Sequence, residues 1–97
     1  MMISFEDCVA MCGLSREEIA AIAEHEHIPE MAAAALGNYL LGREHGLDTI
    51  RDMIVDDIRE ASARGNRRHA GELLSVLRHL LAEHPGLCCP ETEAITI

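Results

Sequence analysis

The chain has 97 residues, a formal net charge of −9 and eight basic residues, all of them arginine. Its residues are 48% hydrophobic, yet it has one Phe, one Tyr and no Trp. A core built from Ala, Leu, Ile and Met favours close-packed helices over a sheet, and the length suits a single domain over residues 1–97. Because an acidic chain repels phosphate groups, we expect neither nucleic acid nor an anionic membrane surface as a partner.

The first residues contain neither the basic region nor the apolar run of a signal peptide, and no apolar stretch in the chain is long enough to cross a bilayer. We therefore expect a cytoplasmic protein. Its cysteines, Cys8, Cys12, Cys88 and Cys89, are then expected to be thiols. Together they could bind zinc, but their spacing differs from that of zinc knuckles, and free cysteines commonly pack as small hydrophobic residues.

The N-terminal part of the chain predicts a short helical arm over residues 5–12. Ser4 begins a sequence that resembles a capping box, and Gly13 supplies a stop signal. The apolar residues of this arm share one helix face, so we expect the arm to pack on the rest of the protein as a lid.

A second helix is predicted over residues 15–28, where Ser15 and Glu18 form a capping box. Pro29 lacks an N–H group and clashes with the preceding turn, so either a new helix covers 29–42 or one long helix kinks there. A continuous helix would turn these residues inward: Glu26, Glu30, Ala33, Gly37, Leu40 and Leu41. A broken helix could instead bury Met31, Ala32, Ala35, Leu36 and Tyr39.

The second half of the chain predicts two further helices, over 48–64 and 66–84, followed by a tail over 85–97. Asp48 is the expected N-cap of the first helix, and Gly65 should end it in a tight turn. The residues that recur with helical period are apolar except for His84: they are Ile50, Met53, Ile54, Ile58 and Ala61 in one helix, and Ala70, Leu73, Leu77, Leu80, Leu81 and His84 in the other.

These elements predict an all-α protein, a small four-helix bundle-like domain with a short N-terminal helical arm. Residues 31–41 are apolar almost all round the helix. A monomer that exposed such a helix would carry a large apolar patch, so we expect a homodimer, and a further protein partner is compatible with the same surface.

The stretch most suggestive of chemistry is 24–30, where three carboxylates and two imidazoles lie between apolar segments. Glu24 and His27 are three residues apart and so share a helix face, the spacing that carboxylate-bridged metal sites use in bundles. The candidate metal ligands are Glu24, Glu26, His27, Glu30 and Asp57, the last of which interrupts an apolar stripe. Oxygen and nitrogen ligands favour Fe, Mn or Zn.

The same cluster is also compatible with two roles that involve no metal. In the first, the carboxylates pair with histidine or with Arg51, Arg59 or Arg64 in a structural network, because a buried unpaired carboxylate is costly. In the second, the side chains are solvated. Six histidines, two of them in the cluster, could also make a dimer responsive to pH.

The run from Ala21 to Glu30, Ala-Ile-Ala-Glu-His-Glu-His-Ile-Pro-Glu, resembles a segment shared by short, uncharacterised all-helical proteins of bacteria. The resemblance implies a bacterial protein and attaches no function to it. Glu24 and His27 are also similar to half of the ligand motif of ferritin-type bundles. This likeness is analogy alone, since two complete motifs on long helices are absent.

No glycine-rich phosphate loop, nucleophile elbow or Ser-His-Asp arrangement is evident, so the sequence indicates no enzyme class. It favours a small helical interaction or accessory protein that is homodimeric. The alternative is a transition-metal-binding helical bundle that uses the Glu24–Glu30 cluster, with redox or hydrolytic chemistry.

Overall fold

A computed structural model describes residues 13–87, which fold into four α-helices. These are α1 (Arg16–Glu26), α2 (Glu30–Leu41), α3 (Gly46–Ala63) and α4 (Arg67–Glu83). The predicted all-α, bundle-like architecture is confirmed. The arm predicted over 5–12 and residues 88–97 of the tail lie outside the described residues. Within the described part of the chain, no helix is long and apolar enough to cross a membrane.

The start of α1 is fixed by the capping box that the sequence predicts. The Glu18 backbone N–H donates to Ser15 Oγ at 3.2 Å, and the Ser15 N–H donates to Glu18 Oε1 at 2.8 Å. Two N–H groups that lack helical partners are thereby satisfied. Glu18 is only 1% exposed and Ser15 is half-buried, so this cap is partly buried.

The junction between α1 and α2 is a helix break and not a kink. His27 adopts the left-handed conformation, with φ of 56°, and its N–H and that of Ile28 both donate to the Ala23 carbonyl. Pro29 follows in an extended conformation and is the N-cap of α2. The two helices can therefore turn independent faces toward the core.

The core lies where one face of each helix meets the others. The predicted apolar stripes of the two longer helices are confirmed. In α3 the buried residues include Ile50, Met53, Ile54, Ile58 and Ala61. In α4 the buried residues are Ala70, Leu73, Leu77 and Leu80. Leu81 and His84, which were also predicted to face inward, are only partly buried. The most extensive packing joins α3 to α4, α1 packs next most on α2, and the contact between α1 and α4 is the least extensive of the main ones.

α2 buries a different face from the one predicted for a broken helix. Its buried residues are Ala33, Ala34 and Gly37. The predicted inward set was wrong, since Met31, Ala32, Ala35 and Tyr39 are exposed and Leu36 is half-buried. On the buried face, alanine and glycine let the α2 backbone approach its neighbours closely, where side chains as large as Met31 and Tyr39 would not fit.

α3 begins at Gly46, two residues before the predicted start at 48. Its N-cap is His45 in the left-handed conformation, and Asp48, the predicted N-cap, lies in the first turn instead. Gly46 is buried, and a side-chain carbon there would overlap the backbone of Leu40. The close approach of the end of α2 to the start of α3 therefore requires glycine.

Candidate functional site

Three of the five residues predicted as metal ligands line one polar cavity of about 320 Å³. The cavity lies between the end of α1, the second half of α3 and the start of α4, and Glu24, His27 and Asp57 are on its walls. Glu26 and Glu30 do not line it. The fold thus brings the local Glu24–His27 pair to Asp57, which is 30 residues further along the chain.

Glu26 and Glu30 are exposed, and the break at Pro29 separates them. On a continuous helix their spacing would have placed both on one face. Glu26 instead ends α1, where its Oε2 accepts a hydrogen bond from His25 Nδ1 at 2.8 Å. Glu30 is the first residue of α2, where a negative charge is favourable to the helix dipole.

The cavity also contains polar side chains that were not among the predicted metal ligands. They are His25, Asp56, Glu60, Arg64, Asn66 and His69. His69 Nε2 donates to Glu24 Oε2 at 2.7 Å. The sequence feature near His69 is Asn66, the N-cap of α4. Its Oδ1 accepts a hydrogen bond from the His69 N–H at 3.3 Å and so fixes the first turn of α4, which carries His69.

The surroundings of His69 favour its protonated form. The hydrogen bond to Glu24 is the main reason that the pKa of His69 is raised above its ordinary value of 6.5, and burial opposes that effect in part. Glu72 contributes in the same direction as Glu24, with its Oε1 3.6 Å from His69 Nδ1. The imidazolium therefore lies between one carboxylate of α1 and one of its own helix.

The surroundings of Asp57 favour its neutral form. Its Oδ2 is buried and has no hydrogen-bond partner among the described residues. Burial raises the pKa of the Asp57 carboxyl, and His25 offsets part of this rise. The negative charges of nearby Glu24, Glu60 and Asp56 raise the same pKa further. Asp57 is thus a partly buried acid beside several charged ones.

The two cavity histidines with well-defined partners already contact carboxylates. Besides the bond from His69 to Glu24, His25 lies between Glu26 and Asp56, with its Nε2 3.8 Å from Asp56 Oδ2. This pairing is what a structural network of histidine and carboxylate would show. Across residues 13–87, no group of three or more His, Cys, Asp or Glu side chains is arranged so that it could hold a metal ion.

Compared with known proteins, the chain matches no protein-family model, no curated protein and no solved structure. Function must therefore be inferred from the cavity and from the rest of the surface. That surface has two apolar features: an exposed face of α2, and a groove between α1 and α4 that borders the polar cavity at Glu24 and His69.

The exposed face of α2 consists of Met31, Ala32, Ala35 and Tyr39, and we call it the α2 face. Met31 and Tyr39 are the exposed large hydrophobic residues of the described chain, at 43% and 58% exposure. Both lie on this one face, four residues on either side of Ala35. The Arg43 guanidinium lies 5.4 Å from the centre of the Tyr39 ring, at the C-terminal edge of the face.

Proposed function

We propose that the protein is a small helical interaction or accessory module that forms a homodimer through the α2 face. The observation that carries this proposal is that the exposed large hydrophobic residues of the described chain, Met31 and Tyr39, share one helix face. Methionine and tyrosine are enriched in protein interfaces, and a clustered apolar patch marks an interaction site more often than scattered residues do.

The spacing of the α2 face suits contact with a second copy of itself. Met31 and Tyr39 are placed symmetrically about Ala35. If two copies of α2 cross antiparallel at Ala35, Met31 of each protomer meets Tyr39 of the other, and the alanine lets the two backbones approach. Such an interface is isologous, as two-fold dimers require.

The size of the α2 face limits how tight this dimer is. With 12 residues, α2 is about 18 Å long. One face of such a helix offers less than the roughly 800 Å² per partner that stable complexes bury. We therefore propose a weak dimer whose population rises with protein concentration.

Analytical ultracentrifugation over a concentration series tests this proposal. The mass of the wild-type chain should rise from 10.6 kDa toward twice that value, whereas Ala35→Glu should stay monomeric. Ala82→Glu places the same charge on an exposed alanine of α4 and should behave as the wild type. A wild-type mass that stays monomeric at every concentration overturns the dimer, and an Ala35→Glu variant that still dimerises overturns the choice of face.

The alternative, a metal-binding bundle, has one observation in its favour: Glu24, His27 and Asp57 line the same cavity. Elemental analysis of untagged protein separates the two proposals. Stoichiometric Fe, Mn or Zn that is lost in a His27→Ala, Asp57→Asn double variant would favour a metal site. Metal-free protein whose Tm is unchanged by a chelator and by added metal would favour the interaction module.

A further inference from the structure

An apolar groove of about 550 Å³ runs between α1 and α4. Its apolar lining comes from Ala20 and Ala21 on α1 and from Leu73 and Val76 on α4. The alanines leave the space open, because their side chains are too short to reach across a helix pair that packs less extensively than the others. The volume suits several apolar side chains projecting from one helix face.

Acidic side chains flank the apolar part of this groove. Glu17 and Glu24 also line it, one turn before and one turn after the alanines of α1, and Glu72 lies on the wall made by α4. Glu17 and Glu24 are seven residues apart, which is two helical turns or about 10 Å. None of the chain's eight arginines lines the groove, and its basic lining residues are His69 and His79.

We propose that this groove binds a basic amphipathic helix of another protein. The partner's apolar face would pack on the alanines, Leu73 and Val76, and basic residues two turns apart would pair with Glu17 and Glu24. Helix-in-groove recognition of this kind combines apolar anchors with flanking charges that set orientation and partner choice. His69 hydrogen-bonds Glu24 at 2.7 Å and lies 3.6 Å from Glu72, so when protonated it offsets part of both charges, whereas Glu17 has no such pairing with His69.

Charge argues against occupants that the chain itself could supply. Residues 1–12 contain Glu6 and Asp7, residues 88–97 contain Glu91 and Glu93, and neither segment contains a basic residue. A second copy carries a net charge of −9 as well. Each would bring like charges to Glu17, Glu24 and Glu72, so the groove favours a basic segment from elsewhere.

Fluorescence anisotropy with synthetic peptides and the 97-residue chain tests this proposal. The probe is a labelled helix of about four turns with leucines along one face and lysines flanking them, including a pair seven residues apart. Two reference peptides have glutamates in place of the lysines, or the same composition in scrambled order. The lysine peptide should bind saturably, and both references should bind at least about tenfold more weakly. No binding of the lysine peptide, or equal binding of the references, overturns the proposal.

Variants of the chain locate the binding surface. Ala20→Arg adds bulk and positive charge at an exposed position in the groove, and Glu72→Lys reverses a charge on its wall. Each should weaken peptide binding about tenfold, with an unchanged circular dichroism spectrum as the check on folding. Glu44→Lys makes the same charge reversal at a side chain that is 90% exposed and outside the groove, and should leave binding unchanged. Wild-type affinity in both Ala20→Arg and Glu72→Lys overturns the assignment.

This inference does not depend on dimer formation, because the groove and the α2 face share no residue. Ala35→Glu should therefore bind the lysine peptide as the wild type does, even where it abolishes self-association. The two proposals can thus fail separately, one by sedimentation and the other by anisotropy.

Discussion

His69 Nε2 lies 2.7 Å from Glu24 Oε2, and this hydrogen bond joins the first turn of α4 to the last turn of α1 across 45 residues of sequence. It connects the pair of helices with the least extensive packing of the main contacts. The same two side chains lie at the boundary between the polar cavity and the apolar groove, since both features are lined by Glu24 and His69. The protonation of His69 therefore acts on the contact between α1 and α4.

Removing the Glu24 carboxylate should change how stability depends on pH. Because the pKa of His69 is raised in the folded protein, its stabilising contribution is fully present below the ordinary value of 6.5 and is lost as pH rises through the folded value. Near pH 6, we expect Glu24→Gln to lower the free energy of unfolding by about 0.5 kcal/mol, as is usual for a pair this exposed. Near pH 9 the difference should vanish. Urea unfolding at both pH values measures it.

Glu17→Gln is the matched control for Glu24→Gln. It also removes an exposed carboxylate from α1, but Glu17 makes no hydrogen bond or ion pair with His69 in the described structure. We expect it to keep the pH dependence of the wild type. If Glu24→Gln keeps that dependence too, the hydrogen bond to His69 does not stabilise the protein.

Neutralising Asp57 should stabilise the protein at neutral pH. A raised carboxyl pKa means that the folded state holds its proton more tightly than the unfolded state, so stability falls as pH rises from the ordinary value of 3.8 through the folded value. Asp57→Asn removes that loss, and its amide can donate to the carboxylates nearby. We expect Asp57→Asn to raise the Tm at pH 7, and each kcal/mol of added stability raises the Tm of a small domain by about 4–8 °C.

The gain from Asp57→Asn should shrink toward pH 4, where wild-type Asp57 is increasingly protonated. Asp56→Asn makes the same change at a neighbouring side chain that is 61% exposed, and its effect on Tm should be smaller. Thermal unfolding followed by circular dichroism across this pH range provides the measurement. A lower Tm for Asp57→Asn at pH 7 would contradict the expected burial penalty.

The fold was predictable where the sequence has strong periodic contrast. In α3 and α4 apolar residues recur with helical period among polar ones. The stripe of α3 that contains Ile54 and the stripe of α4 that contains Leu77 were therefore predicted correctly. α2 lacks that contrast because it is apolar almost all round. Small size alone does not select the buried face of α2: Ala33, Ala34 and Gly37 face inward, whereas the equally small Ala32 and Ala35 are exposed.

The cavity was only partly predictable, because its residues come from distant parts of the chain. Glu24 and His27 are only three residues apart, so their placement on the same cavity follows from their closeness in sequence. Asp57 was identified because a charge interrupts an apolar stripe. No such interruption of an apolar stripe identifies His69 in the sequence, and only the packing of α4 against α1 brings it to Glu24. The sequence allowed either a helix break or a kink at Pro29. The structure has the break, and Glu26 and Glu30 lie outside the cavity.

The capping box of α1 should contribute measurably to stability, because it is partly buried. Ser15→Ala leaves the Glu18 backbone N–H without its side-chain acceptor, and we expect a loss of about 1 kcal/mol. Ser75→Ala, the same change at an exposed position inside α4, should have little effect or stabilise slightly. Guanidinium unfolding of the two variants compares them. Equal stabilities would show that the cap contributes nothing.

Two glycine-to-alanine changes should have opposite effects. At Gly46 a side-chain carbon would overlap the Leu40 carbonyl group, so the end of α2 would have to move away from the start of α3. We expect Gly46→Ala to destabilise the protein by about 2–3 kcal/mol or more, a large part of the stability of a small domain.

At Gly71, in an exposed part of α4, nothing lies within 4 Å of an added side-chain carbon. Gly71→Ala should stabilise by about 0.5–1 kcal/mol, since alanine favours the helix and restricts the unfolded chain. Thermal melts of both variants measure the contrast, and a Gly46→Ala protein as stable as the wild type would mean that the two helix ends do not pack against each other.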